Sequence, residues 1–190
     1  MSKISVLMSV YKKENPEYLR ASLESVLVQT RTADEILLIE DGPLTQELYQ
    51  VVAEYQKKCD YLHVHAMEQN VQLGRALAKG VELCQYDLIA RMDTDDIAMP
   101  DRLEKEEAYM EAHPEVDVVG GAIREFNDEG TIDRVKNMPK TQEEILEYVK
   151  VRNPLNHMTV MYRKDSILKA GNYKPVSYTH LRAHETAANL

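Results

Sequence analysis

Three carboxylates crowd into the segment Arg91-Met92-Asp93-Thr94-Asp95-Asp96. They follow an apolar run from Asp87 to Met92 that reads as a strand. Carboxylates this close repel one another unless a cation joins them. Their hard oxygens suit Mg²⁺ or Mn²⁺, cations that also hold substrate phosphates. A metal bridging a diphosphate would stabilise it as a leaving group. The competing explanation is a solvated acidic turn in which Asp96 or Asp101 caps the next helix. Position favours the ligand site, because open α/β sheets bind ligands beyond the carboxyl ends of their strands.

The elements that must position this cluster alternate in type. Ile4 to Tyr11 reads as a strand, and Asn15-Pro16 opens a helix with Leu19, Leu23, Val26 and Leu27 on one face. Glu35 to Ile39 is a second apolar strand, ended by the turn Asp41-Gly42-Pro43. Leu48, Val51, Val52 and Tyr55 line a second helix. Tyr61 to Ala66 alternates as a strand, and Gly74 to Cys84 reads as a third helix. Strands that are continuous apolar runs are covered on both faces. The expected class is therefore α/β, with a Rossmann-like, mostly parallel central sheet flanked by helices.

After Pro100 the pattern changes. A charged helix is expected over Asp101 to Ala112, a strand over Val116 to Gly121, and a small antiparallel hairpin over Ile123 to Val135 around Asp128-Glu129-Gly130. Thr141 with Glu144 forms a capping box. A last strand is expected over Met158 to Tyr162, then a short helix from Asp165 to Ala170 closed by Gly171. No linker or repeat interrupts residues 1–175, which are expected to form one domain. The stretch from Val176 to Leu190 has no clear period. It resembles an adaptor-derived tail, and a natural, poorly ordered terminus is the alternative.

Composition sets outer limits. The chain has 190 residues, 44% of them hydrophobic, which suits a folded domain. Its net charge of -9 argues against nucleic acid as a partner, since phosphate contacts need clustered Lys and Arg. Cys59 and Cys84 fit no zinc spacing and are expected as buried thiols in a reducing compartment. No stretch is apolar enough to span a bilayer, so a cytoplasmic location is expected. His63 and His65 share a strand face but have no further ligand beside them, and are expected to be structural. The nine Met residues are expected as core filler.

Two other acidic motifs fit less well. An EF-hand loop beginning at Asp93 would need Gly at Ala98 and an oxygen side chain at Ile97, and Pro100 interrupts it. A haloacid-dehalogenase-type phosphatase carries two Asp separated by one residue, but after the first strand of its domain. Here three strands come earlier.

Several segments, in order, resemble family 2 inverting glycosyltransferases of the GT-A fold. They are Ile4-Ser5-Val6-Leu7-Met8-Ser9-Val10-Tyr11, Ser22 to Thr30, Glu40-Asp41-Gly42, Asn70 to Leu77 and Asp93-Thr94-Asp95-Asp96. The resemblance covers about Lys3 to Lys174. Glu40 to Thr45 and Arg152 to Arg163 look most like bacterial exopolysaccharide transferases of the amylovoran type.

The resemblance implies a metal-dependent hexosyltransferase. It would move a sugar, with inversion, from a UDP-linked donor to a saccharide or lipid-linked saccharide acceptor. Ser9 and Tyr11 would line the nucleotide pocket. Asp41 would accept from uracil N3, a pairing that suits a carboxylate and an N–H donor. Arg75 would face the diphosphate, unless it is a plain surface arginine. Asp95 would sit near ribose and metal, Asp96 would bind the Mn²⁺ or Mg²⁺ directly, and Asp93 would hold the cluster's shape on the donor side. His157 would border the acceptor side, or else be a buried, hydrogen-bonded histidine. The family's general base lies shortly after the segment matching Ala170-Gly171-Asn172-Tyr173. The match here ends at Lys174-Pro175, and the only later acid is Glu185. The expectation is a chain that binds donor but transfers poorly. A non-catalytic nucleotide-binding module is the alternative.

Overall fold

The computed structural model describes residues 2–127 and 132–174. The turn Asp128-Glu129-Gly130, Pro175 and the stretch from Val176 onward lie outside the described residues.

The first half alternates strand and helix: β1 (Ile4–Val10), α1 (Pro16–Leu27), β2 (Glu35–Glu40), α2 (Gln46–Lys58), β3 (Leu62–Ala66), α3 (Leu73–Leu83) and β4 (Leu88–Arg91). After α4 (Arg102–Ala112) come β5 (Val118–Val119), the antiparallel pair β6 (Ile123–Phe126) and β7 (Ile132–Lys136), then α5 (Gln142–Tyr148), β8 (Met161–Arg163) and α6 (Lys164–Lys169). The main sheet runs β3-β2-β1-β4-β8-β5. Its first four strands are parallel, and β8 lies antiparallel between β4 and β5. This is the expected mostly parallel sheet with a separate small hairpin.

Alternation along the strands divides the core in two. Ile4, Val6, Met8 and Val10 of β1 pack on one face with Leu19 and Leu23 of α1, Val51 and Tyr55 of α2, and Leu103 and Met110 of α4. Leu7, Leu37, Ile39 and Ile89 face the other way, against Ala76, Leu77 and Val81 of α3 and Tyr162 of β8. Helix α3 rides close on the sheet: a Cβ at Gly80 would collide with Leu7 Cδ1. Helix starts follow the sequence signals. The Asn15 side chain accepts from Glu17 N at 2.9 Å, and the Thr141–Glu144 capping box is formed in both directions.

Two expected strands are shorter than their sequence pattern. The strand over Val116 to Gly121 shrinks to Val118–Val119, because its partner β8 supplies only Tyr162 and Met161 for pairing. The strand over Met158 to Tyr162 starts late, since His157–Thr159 forms a 3₁₀ turn. There Thr159 Oγ1 donates to Asn156 O at 2.9 Å and accepts from Gly121 N at 3.0 Å, a local bonding pattern that competes with the ladder. Cys59 and Cys84 are free and buried. Met8, Met92, Met110 and Met161 are core residues, whereas Met99 is exposed and fills no core. No helix among the described residues is long and apolar enough to cross a membrane.

Candidate functional site

The strand order reverses between β1 and β4: the chain steps outward from β1 to β2 and β3, then returns to the far side of β1. A crevice at the carboxyl ends of strands on either side of such a point is where open α/β sheets take ligands. Here it is a cavity of about 320 Å³. Ser9 and Tyr11 line it from the end of β1, Asp41 from the end of β2, and Asp93, Thr94 and Asp95 from the end of β4. Asn70, Gln72 and Leu73 close it from the entry to α3, and Glu14 from the loop after β1.

The Asp41 wall depends on one close backbone approach. Asp41 is nearly inaccessible. Its Oδ1 accepts from Val71 N at 2.6 Å and its Oδ2 from Asn70 Nδ2 at 3.0 Å. Burial pushes the carboxyl up, and the backbone donors of Val71 and Gln72 oppose that. The loop can come so near because residue 42 is glycine. Gly42 has φ +83°, and a Cβ there would sit 2.5 Å from Asn70 N. Gly42→Ala combines a left-handed backbone penalty with a backbone clash and is expected to cost about 2–4 kcal/mol of stability. Urea unfolding measures this, and a loss below about 0.5 kcal/mol, the range of neutral surface substitutions, would contradict the packing described.

Helix α3 opens toward the cavity without a side-chain cap. Its N-cap, Gln72, holds φ +72° and makes no capping bond. First-turn N–H groups left without intrahelical partners favour an anion.

On the opposite wall, ligand atoms of Asp93, Asp95 and Asp96 lie within 4.8 Å of one another. The cluster does not cap the next helix: Asp101 is the N-cap of α4, makes no capping bond, and pairs with Lys105 at 2.5 Å. Ser22 Oγ donates to Asp93 O at 2.8 Å. Thr94 Oγ1 donates to Glu14 Oε2 at 2.6 Å. Burial lifts the Asp96 carboxyl to about 6, and the charges of Asp93 and Asp95 push the same way. Asp95 is raised by burial and then by Asp93 and Glu14. These are oxygen donors lacking enough positive charge, which fits a divalent cation.

A pH dependence follows. The folded pKa of Asp96 lies above its unfolded value, so its contribution to stability is present at low pH. That contribution is lost as pH rises through about 6. A cation that needs the ionised carboxylates reverses the loss. Mn²⁺ is therefore expected to raise the melting temperature at pH 7.5 and to do so far less at pH 5. Equal Mn²⁺ shifts at both pH values would count against the cluster as the cation site.

The remaining candidates lie outside the cavity lining. Arg75 is exposed on the first turn of α3. Asp96 sits one residue beyond the lining carboxylates. His157 is half-buried, with Nε2 3.1 Å from Tyr173 Oη and the rings edge-on. Burial, then the Arg91 charge, depresses it to about 4, so it is neutral at pH 7. His63 and His65 join no cluster of three metal-binding side chains among the described residues. Glu14, Asn70 and Gln72 were not singled out by residue type as site residues. Two signals point to that loop: the family resemblance of the segment Asn70 to Leu77, and Gly42 as a marker of close backbone approach between the Asn70–Gln72 loop and Asp41.

A nucleotide-sized crevice at the switch point of a parallel sheet, walled by an acidic cluster, defines a GT-A-like α/β protein. The sequence matches the model of glycosyl transferase family 2 over residues 5–171, and the chain belongs to that family. It is 44% identical over 170 residues to the amylovoran biosynthesis glycosyltransferase AmsE of Erwinia amylovora, covering 90% of this chain and 63% of the relative. It is 34% identical over 177 residues to the UDP-Gal:alpha-D-GlcNAc-diphosphoundecaprenol beta-1,3-galactosyltransferase of Escherichia coli, covering 90% and 62%. Among solved structures, the mannosyltransferase PcManGT of Pyrobaculum calidifontis, in complex with GDP-Man and Mn²⁺, superposes with a TM-score of 0.70 at 13% identity. That match covers 92% of this chain and 48% of the other, and shows the shared fold. The chain thus spans less than two thirds of these relatives. Family membership leaves no place for the phosphatase alternative.

Proposed function

We propose that the cavity binds a nucleotide-diphosphate sugar, UDP-linked, and that the reaction is inverting transfer of the sugar to a saccharide or lipid-linked saccharide acceptor in cell-surface polysaccharide synthesis. The observation that carries this reading is the pairing of two walls across one crevice. The buried Asp41 carboxylate, an acceptor for a base N–H, faces the Asp93–Asp96 cluster, which suits a cation on a diphosphate. The UDP-Gal-dependent relative supports the uridine nucleotide, and the Mn²⁺ complex of the structural neighbour supports the metal.

In this reading Ser9 and Tyr11 flank the nucleoside and Asp41 accepts from uracil N3. Asp95 and Asp96 would hold Mn²⁺ or Mg²⁺. The bound cation would supply charge stabilisation of the leaving diphosphate. The uncapped start of α3, with Arg75 one turn in, offers donors to the same phosphates. His157, neutral and tied to Tyr173, borders the acceptor side. A base would deprotonate the acceptor hydroxyl, a role assigned to no described residue, and the sugar would be attacked from the face opposite the diphosphate.

A thermal-shift panel tests the reading. UDP with Mn²⁺ is expected to stabilise the chain by several degrees, and UDP alone to do much less. Stabilisation by UDP that ignores Mn²⁺ and EDTA would contradict the metal-bridged site. A released-UDP assay with added acceptor separates a transferase from a module that only binds.

A further inference from the structure

The Arg91 side chain is completely buried, yet its Nε and Nη1 have no partner among the described residues. Its Nη2 is paired with Asp93 Oδ1. It follows Ile89 on the face of β4 that packs against Tyr162, beside His157 and Tyr173. An unpaired guanidinium N–H in the interior is expensive, and an apolar side chain of similar length would serve packing better. Arg91 therefore calls for a role outside packing. The surrounding bonds suggest which. Asp93 is fixed at both ends, its carbonyl by Ser22 and its carboxylate by Arg91. The Asp96 carboxylate accepts no hydrogen bond from another side chain and joins no ion pair among the described residues, and Asp95 takes only its own backbone N–H. Arg91 offsets one of the three carboxylate charges, and with Glu14 beside Asp95 the cluster stays net negative, as a divalent cation site requires.

We propose that Arg91 is the positioning residue of the cation site: its buried guanidinium claims Asp93 and leaves Asp95 and Asp96 as the ligands. This rests on the cation reading above, and on that reading Asp93 is a neutralised spacer that shapes the cluster without binding metal.

The test uses Mn²⁺ alone, with free Mn²⁺ followed by electron paramagnetic resonance. Removing the guanidinium in Arg91→Met frees Asp93 and takes away one positive charge, so Mn²⁺ should bind about tenfold more tightly. The double variant Arg91→Met with Asp93→Asn removes the whole pair. Its Mn²⁺ affinity should fall by no more than about 100-fold, the range for an outer-shell partner, and its cation-free melting temperature should equal or exceed wild type. Because it leaves no buried unpaired charge, the double variant carries the test even if the single one fails to fold. A loss of more than about 100-fold in the double variant, beyond the 10–100-fold range for an outer-shell partner, would make Asp93 a ligand and overturn the proposal. Unchanged or weaker Mn²⁺ binding in a folded Arg91→Met would also overturn it. If wild type binds no Mn²⁺, the cation reading itself falls, and this inference with it.

Discussion

Replacing Asp96 with Ala is expected to weaken Mn²⁺-dependent UDP binding by more than about 100-fold, because a direct ligand should matter more than the outer-shell partners whose loss costs 10–100-fold. The same substitution should leave the fold intact. Asp96 is held above its ordinary range by burial and by its neighbours' charge, so removing it relieves repulsion in the cation-free chain. The melting temperature without metal should therefore stay level or rise. The two readouts are expected to move apart, and that divergence distinguishes a ligand from a structural carboxylate. Unchanged UDP affinity by calorimetry would remove Asp96 from the site.

The second large effect concerns the base. Asp41 is nearly inaccessible and is fixed by Val71 and Asn70. Each carboxylate oxygen has a further lone pair, so a base N–H can still be accepted there. Uracil N3 offers that donor, whereas cytosine N3 is an acceptor. Two acceptors facing each other leave both unsatisfied, at roughly 1–3 kcal/mol. UDP should bind about 5–150-fold more tightly than CDP. Guanine N1–H is also a donor, so GDP is a useful third arm, and Asp41 alone does not set UDP against GDP. Equal affinities for UDP and CDP would take Asp41 out of base recognition.

How far this site could be read from sequence differs residue by residue. Asp41 and the Asp93–Asp96 cluster stand where apolar runs stop, and strand ends are visible in sequence. The order of elements up to Arg91 followed for the same reason, since both faces of β1, β2 and β4 are covered and their apolar runs are interrupted within the strand only by Ser5 and Ser9 of β1. Asn70 and Gln72 reach the cavity only because a distant glycine, Gly42, lets their loop close in. No periodicity or residue type local to Asn70 marks that, and locally only the family resemblance of the segment Asn70 to Leu77 points there. Glu14 reads as a surface residue of a charged loop until Thr94 is seen to bond it. Arg91 stood inside the motif, but its complete burial depends on β8 and the 3₁₀ turn at His157–Thr159, a region where Thr159 replaced the expected strand with local bonds. Short elements such as β5 depend on the partner offered, and no periodicity within Val116 to Gly121 foretells that the partner pairs through two residues.

The most direct test is a crystal structure of this chain with UDP and Mn²⁺, with anomalous data collected at the manganese edge. The account predicts one anomalous peak about 2.0–2.3 Å from carboxylate oxygens of Asp95 and Asp96, within the range for oxygen-bound divalent metals. The peak should lie between those oxygens and the diphosphate, with uracil N3 within hydrogen-bond distance of Asp41. UDP bound with no metal peak at the cluster, or with the uracil away from Asp41, would contradict it.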